Sequence, residues 1–277
     1  MGNIKAIIEK LNIGNSIKKL VNREVKIPDY FDDFNSLDSY WYPHPPCLIP
    51  IFLGYGASYK GVINHFFCTR EVTYTEYFLE HGYISEIART AEQFITLMVL
   101  RMIIVKDGLT DEIIDFCKKL NYNNYEDIDQ FTVDYGDDPN DFSHLVFFDR
   151  KMPFKYLKDL TQYDGDFPSS LTILNNDDFI QNSCLFELAP IEKLSEIGNL
   201  PAWLNSNGNK KALFDQYLSN NDLKGAWFSL NSKGWLLKDV ADALEKLKSK
   251  ANNDLFNLVA DNWIDGWKKS TFLNSNY

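Results

Sequence analysis

Cysteine and basic residues are scarce in this chain, and each scarcity argues against a class of function. Four cysteines in 277 residues do not make a disulfide framework. Only 28 Lys and Arg stand against 39 Asp and Glu, which gives a net charge of −11. Because binding phosphate requires clustered cationic side chains, nucleic acids and anionic membranes are unfavourable partners. A basic protein, by contrast, would be attracted.

Long apolar runs are also missing. The longest, Ile95 to Val105, is interrupted by Arg101 and is well short of the about 20 residues that cross a bilayer. The amino-terminal segment has apolar and basic positions but neither the continuous apolar stretch nor the small-residue cleavage site of a secretory signal. We therefore expect a cytoplasmic protein without a membrane-spanning segment.

Aromatic residues are plentiful, and they predict a large packed core. Phe, Tyr and Trp make up 15% of the chain, and 45% of all residues are hydrophobic. The composition changes between Pro190 and Pro201, after which strand-like segments are rare. We therefore predict an α+β domain over residues 1–195 and a helical domain over residues 196–277.

The segment from Cys47 to Cys68 predicts a β-hairpin. Leu48 to Leu53 is an apolar run, and Tyr59 to Cys68 is rich in aromatic and β-branched residues. Gly54 to Ser58 between them supplies glycines that reach positive φ without a steric clash. Both faces of the second run are partly apolar, so we expect it to lie inside a sheet rather than at an edge.

Helical periodicity surrounds this hairpin and sets the fold class. A stripe beginning at Ile84 predicts a helix over Ser85 to Val105 that packs on the sheet through Phe94. The fold class is therefore α+β, an antiparallel-rich sheet covered by helices and followed by a small all-α carboxy-terminal unit. Further predicted elements are a helix from Thr110 to Leu120, a polar connector from Asn121 to Asp141, strands at His144 to Phe148 and Leu171 to Leu174, a strand or a helix at Phe179 to Leu188, and helices at Lys210 to Leu218, Leu223 to Leu230, Leu236 to Lys250 and Asp254 to Lys268.

Two H-x-x-C pairs, His44 with Cys47 and His65 with Cys68, are the candidate metal ligands, since two imidazoles and two thiolates can hold tetrahedral zinc. In an extended strand, however, His65 and Cys68 project to opposite faces. We therefore interpret these residues as buried core groups. We expect neither a metal nor another cofactor.

Acidic residues are concentrated in the middle of the chain. Residues 107–187 contain eighteen Asp and Glu against six Lys and Arg. Such clustering is typical of a solvated face, and it also suits a docking surface for a cationic protein, where carboxylates accelerate encounter and aromatic rings supply binding energy. The candidate partner-binding residues are Asp134, Tyr135, Asp137, Asp138, Asp141 and Phe142.

The order of several segments resembles the SUKH superfamily, which includes many bacterial immunity proteins. The resemblance covers roughly residues 25–190 and rests on Ile27-Pro28-x-x-Phe31, the hairpin Leu48 to Gly56 with Tyr59 after it, and the helix from Ile87 to Leu100. It implies an α+β fold without catalytic residues and a role in neutralising a toxin. The alternative is a small hydrolase or metal-dependent enzyme with a site assembled from dispersed residues.

Overall fold

The fold combines a five-stranded antiparallel sheet with helices on both of its sides, which confirms the predicted α+β class. None of the described helices combines the length and the apolar character needed to cross a bilayer. The computed structural model describes residues 4–37, 40, 42–78, 83–157, 175–176, 179–180, 202–204, 208–232, 234–268 and 270–277.

The main sheet has five antiparallel strands in chain order. The predicted hairpin is confirmed, with Leu53 opposite Tyr59 and Gly56 at φ +68° in the turn. Its second strand ends at Ile63 rather than Cys68, because the chain turns at Phe67, which has a φ of 66°. The strands are β1 (Asn35–Ser36), β2 (Leu48–Gly54), β3 (Ser58–Ile63), β4 (Thr73–Phe78) and β5 (Tyr83–Ala88).

Both faces of the sheet are buried. On one face, Phe94 contacts the rings of Phe52 and Tyr74, with centroid distances of 6.3 and 5.0 Å. On the other face, Tyr59 stacks on Tyr42 at 4.2 Å. This arrangement explains why β3 is buried along its whole length.

The helix predicted from Ser85 begins later than expected. Ser85 to Ala88 lie in β5, and α3 (Ala91–Lys106) starts after Thr90, whose hydroxyl accepts a hydrogen bond from the Gln93 amide. Pairing with β4 gives the backbone of β5 hydrogen-bond partners, and the apolar spacing of this segment did not distinguish the two structures. Phe94 is fully buried, as predicted.

Two predictions between residues 121 and 148 are wrong. The expected polar connector contains α5 (Tyr125–Tyr135), which buries Ile128 and Phe131 and packs against α3. The expected strand from His144 to Phe148 instead continues from a 3-10 helix, because Phe147 has a φ of 68° and interrupts extended backbone. The preceding helix was predicted correctly and is α4 (Asp111–Lys119), capped by Thr110.

The next predicted elements fall in a stretch of which only residues 175–176 and 179–180 are described. The predicted strand from Leu171 to Leu174 lies outside the described residues. Of Phe179 to Leu188, only Phe179 and Ile180 are described, as a two-residue strand β7 paired with β6 (Asn175–Asn176). The predicted domain division between residues 195 and 196 also falls in an undescribed part of the chain.

The carboxy-terminal helices agree closely with prediction. Two of these helices are capped at their starts, since the Asp222 side chain accepts a hydrogen bond from the Gly225 amide at 2.8 Å and the Asn253 side chain accepts one from the Phe256 amide at 2.9 Å. The helices are α6 (Lys210–Ser219), α7 (Leu223–Leu230), α8 (Leu237–Ala251) and α9 (Asp254–Trp267).

These helices cover the face of the sheet opposite α3. The Asn231 side chain accepts a hydrogen bond from the Cys47 amide at 2.7 Å, and the Trp263 indole donates to the His44 carbonyl at 3.3 Å. Helix α9 also packs against α1 (Ile4–Lys10), while α2 (Asn15–Val21) packs against α3. The hydrophobic core is therefore continuous from the sheet into the carboxy-terminal helices.

We expect Phe94→Asp to lower the free energy of unfolding by about 3 kcal/mol or more, because it buries an unpaired charge in place of a large apolar group. Urea denaturation would measure the loss. Val105→Asp on the same helix is the control, since Val105 is 59% exposed and its change should cost much less. Equal losses in the two variants would contradict the packing described above.

Candidate functional site

The candidate partner-binding residues lie where α5 ends and a 3-10 helix (Pro139–His144) begins, and we call residues 134–141 the acidic turn. Gly136 follows α5 with a φ of 69°, a conformation that favours glycine. Asp138 then caps the 3-10 helix by accepting a hydrogen bond from the Asn140 amide at 2.9 Å. Glycine and proline thus force the reversal that brings the carboxylates together.

The negative charge of the acidic turn is only partly neutralised by the cationic side chains that the structure describes around it. Asp134, Asp137 and Asp138 are exposed, and Asp141 is half-buried. Arg101 of α3 contacts Asp137 at 3.3 Å, in an exposed pair of the kind that contributes about 0–1 kcal/mol. The other three carboxylates form no ion pair with any residue that the structure describes. They are therefore available to an external cation.

The two predicted aromatic anchors differ in accessibility. Tyr135 is 40% exposed and stacks on His144 with a centroid distance of 4.8 Å. Phe142 is only 4% exposed and packs against Phe148 and Tyr156, at 5.5 and 4.7 Å. Phe142 therefore cannot be the surface anchor that we expected. Its ring fixes the acidic turn to the core instead.

A cavity of about 460 Å³ next to the acidic turn has no counterpart in the sequence analysis. Arg101 lines it and also contacts Asp137, so the two features adjoin. No local pattern could have revealed this cavity, because its walls come from five separate stretches of the chain. We call it the aromatic cavity, and its lining residues are Tyr30, Phe31, Asp33, Tyr55, Glu76, Phe78, Arg101, Val105 and Lys155.

A buried ion network forms one side of the aromatic cavity. Lys60, whose side chain is 6% exposed, contacts Asp33 and also contacts Glu76 at 3.0 Å. Lys155 reaches the second oxygen of Glu76 at 3.0 Å. Burial raises the pKa of Glu76, but Lys155 and Lys60 outweigh it and hold that pKa below its usual range. Glu76 is therefore ionised at neutral pH and pairs with both lysines.

A larger cavity of about 910 Å³ lies beside the loop that follows the 3-10 helix. Gln93 holds this loop, since its amide nitrogen donates to the carbonyls of Phe147, Arg150 and Lys151 at 2.9, 3.2 and 3.2 Å. Neither His nor Cys occurs among the residues that the structure describes as lining this cavity or the aromatic cavity. The described linings therefore do not combine a thiol nucleophile with an imidazole base.

The candidate zinc ligands lie in the core or beside it. His44 is fully buried, with Nδ1 3.4 Å from the Tyr42 carbonyl, and burial lowers its pKa to about 3. His65 pairs with the Thr73 hydroxyl at 2.9 Å, and burial followed by the Arg70 charge lowers its pKa. His65 and half-buried Cys68 lie in the turn after β3, not in the extended strand that we assumed.

Two of the described thiols, Cys68 and Cys117, are not activated. Burial raises the pKa of Cys117 to about 12 and also raises that of Cys68, so both favour the neutral thiol. Across the described ranges, no group of three or more His, Cys, Asp or Glu is arranged to hold a metal ion. Cys184 lies outside those ranges.

Comparison with known proteins provides no relative. No family model matches the chain, and neither the curated proteins nor the solved structures give a significant match. The functional argument therefore depends on the surface and the cavities described above.

We expect His44 to make stability depend on pH. Its pKa is about 3 in the folded protein and 6.5 in the reference state, so the unfolded chain binds the additional proton between these values. The stabilisation is present above pH 6.5 and is lost as the pH falls, at about 1.4 kcal/mol per pH unit. The free energy of unfolding, measured with urea, should fall between pH 7 and pH 5 by about 2 kcal/mol less in His44→Phe than in the parent protein. The exposed-site control His144→Phe should behave like the parent, and an unchanged difference in His44→Phe would refute the prediction.

Proposed function

We propose that this chain is a non-enzymatic protein-binding module whose acidic turn docks a basic partner. The observation that carries this proposal is the set of carboxylates at Asp134, Asp138 and Asp141 that lack an ion-pair partner among the described residues. Clustered exposed charge of one sign raises the rate of encounter with an oppositely charged protein and disfavours anionic competitors. Tyr135, exposed beside these carboxylates, supplies apolar contact area.

The resemblance to the SUKH superfamily suggests what the partner is. Under this proposal the chain is an immunity protein that neutralises a bacterial toxin in the cytoplasm of the cell that produces it. A toxin that acts on nucleic acid needs a basic surface for phosphate, and an acidic protein can cover that surface. In this view the α+β region carries the binding surface, and the carboxy-terminal helices support the opposite face of the sheet.

The charge dependence of association tests the proposal. A partner is first isolated with the intact chain as bait, and its binding kinetics are then measured at several salt concentrations. Changing Asp134, Asp137, Asp138 and Asp141 to Asn should reduce kon about tenfold or more at low salt and flatten its salt dependence. The fold should be unaffected, because these side chains are exposed or half-buried.

A control variant with the same change in net charge separates local from global electrostatics. Asp242, Glu245, Asp254 and Asp265 are exposed on α8 and α9, which cover the other face of the sheet. Changing these four residues to their amides should leave kon nearly unchanged. If both variants associate equally fast, or if both are slowed equally, the acidic turn is not the docking site.

A further inference from the structure

The aromatic cavity lies next to the acidic turn, so one partner can reach both. Arg101 connects them, because its guanidinium contacts Asp137 and its side chain lines the cavity. At the cavity, Tyr55 is 78% exposed and Val105 is 59% exposed. Large apolar groups at such exposure contribute little to the core, whereas they are common where a partner docks.

The cavity has more than enough room for a large side chain. Its volume of about 460 Å³ falls within the range of about 300–1,000 Å³ that is typical of ligand sites. Four of its lining residues are aromatic, namely Tyr30, Phe31, Tyr55 and Phe78. Aromatic rings pack favourably against one another in edge and offset arrangements, so these walls favour an aromatic occupant.

The charges of the cavity favour an occupant that is neutral. Lys60 and Lys155 are both engaged with Glu76, and Arg101 is engaged with Asp137. An incoming ammonium or carboxylate group would lose its water without gaining an unengaged counter-charge, which is costly. A neutral ring avoids this cost.

One polar group can also orient the occupant. Asp33 contacts Lys60 and accepts a hydrogen bond from the Tyr55 amide at 3.1 Å, both through the same carboxylate oxygen. A carboxylate has about four lone-pair sites, so it can accept a further bond from a phenol hydroxyl or an indole N–H. The side chain of Asp33 is 25% exposed and can be reached from the cavity.

The geometry points to the aromatic cavity as an anchor site for a tyrosine or tryptophan side chain of a partner protein, which also carries the basic residues that meet the acidic turn. The assignment of basic residues to the partner rests on the proposed function, whereas the assignment of an aromatic side chain to the partner rests on the cavity alone. A ring buried in the cavity would supply affinity through slow dissociation, while the acidic turn would govern association.

Small probes test the cavity without a known partner. The intact chain is titrated with N-acetyl-tryptophanamide and with N-acetyl-argininamide, and amide chemical shifts are followed by NMR. The tryptophan probe should shift the amides of Tyr55 and Val105 at millimolar concentration, and the arginine probe should not. Stronger shifts with the arginine probe, or no shifts at the cavity with the tryptophan probe, would overturn the assignment.

A matched pair of variants locates the binding. Val105→Trp places an indole at the exposed edge of the cavity and should weaken binding of the tryptophan probe at least tenfold. Val133→Trp makes the same change on α5 at a position that is 74% exposed and does not line the cavity, so binding should be unaffected. Equal weakening in both variants would mean that the probe binds nonspecifically.

The isolated partner then separates the two proposals. Val105→Trp should increase koff at least tenfold, whereas the four-Asn variant of the acidic turn should act mainly on kon. If the four-Asn variant slows kon but Val105→Trp leaves koff unchanged, the anchor site is wrong and the proposed function stands. If the probe binds the cavity but the four-Asn variant has no effect on kon, the proposed function is wrong and the cavity remains an aromatic-binding site.

Discussion

The structure depends on the burial of both faces of the central sheet. Tyr59 and Lys60 are neighbours in β3, so their side chains project to opposite faces, yet both are almost completely buried. A sheet with two buried faces needs a cover on each, and α3 and the carboxy-terminal helices provide these covers. The aromatic richness of the sequence serves this arrangement, because large rings fill the two layers around the sheet.

Burying a lysine in such a sheet has structural consequences nearby. An unpaired ammonium group in this position would be very costly, and Lys60 is stabilised by Asp33 before β1 and by Glu76 on β4. Glu76 in turn holds Lys155. These pairs connect four segments of the chain, at Asp33, Lys60, Glu76 and Lys155, along one edge of the aromatic cavity. The neutrality of the cavity, and with it the preference for an uncharged occupant, follows from the need to compensate one buried charge.

The sequence was informative where local signals and tertiary contacts agree. The turn around Gly56 and the caps at Asp222 and Asn253 specify backbone geometry within a few residues, and the hairpin and the carboxy-terminal helices were predicted correctly. The apolar spacing of Ser85 to Ala88 predicts a helix, whereas the observed strand depends on pairing with β4, which that spacing does not encode. The carboxylates of the acidic turn are adjacent in sequence and could be proposed from charge alone, whereas the aromatic cavity draws on residues more than a hundred positions apart.

The burial of Phe142 changes how the acidic turn can work. Its ring packs against Phe148 and Tyr156 and attaches the turn to the core. A surface whose backbone is held in this way loses little conformational freedom when a partner binds. The carboxylates then act as a fixed pattern of charge, and one of them, Asp137, contacts Arg101 at the edge of the cavity. Phe142 therefore supports binding indirectly, by holding the charges in place, while exposed Tyr135 and the neighbouring cavity offer the apolar area that a partner can bury.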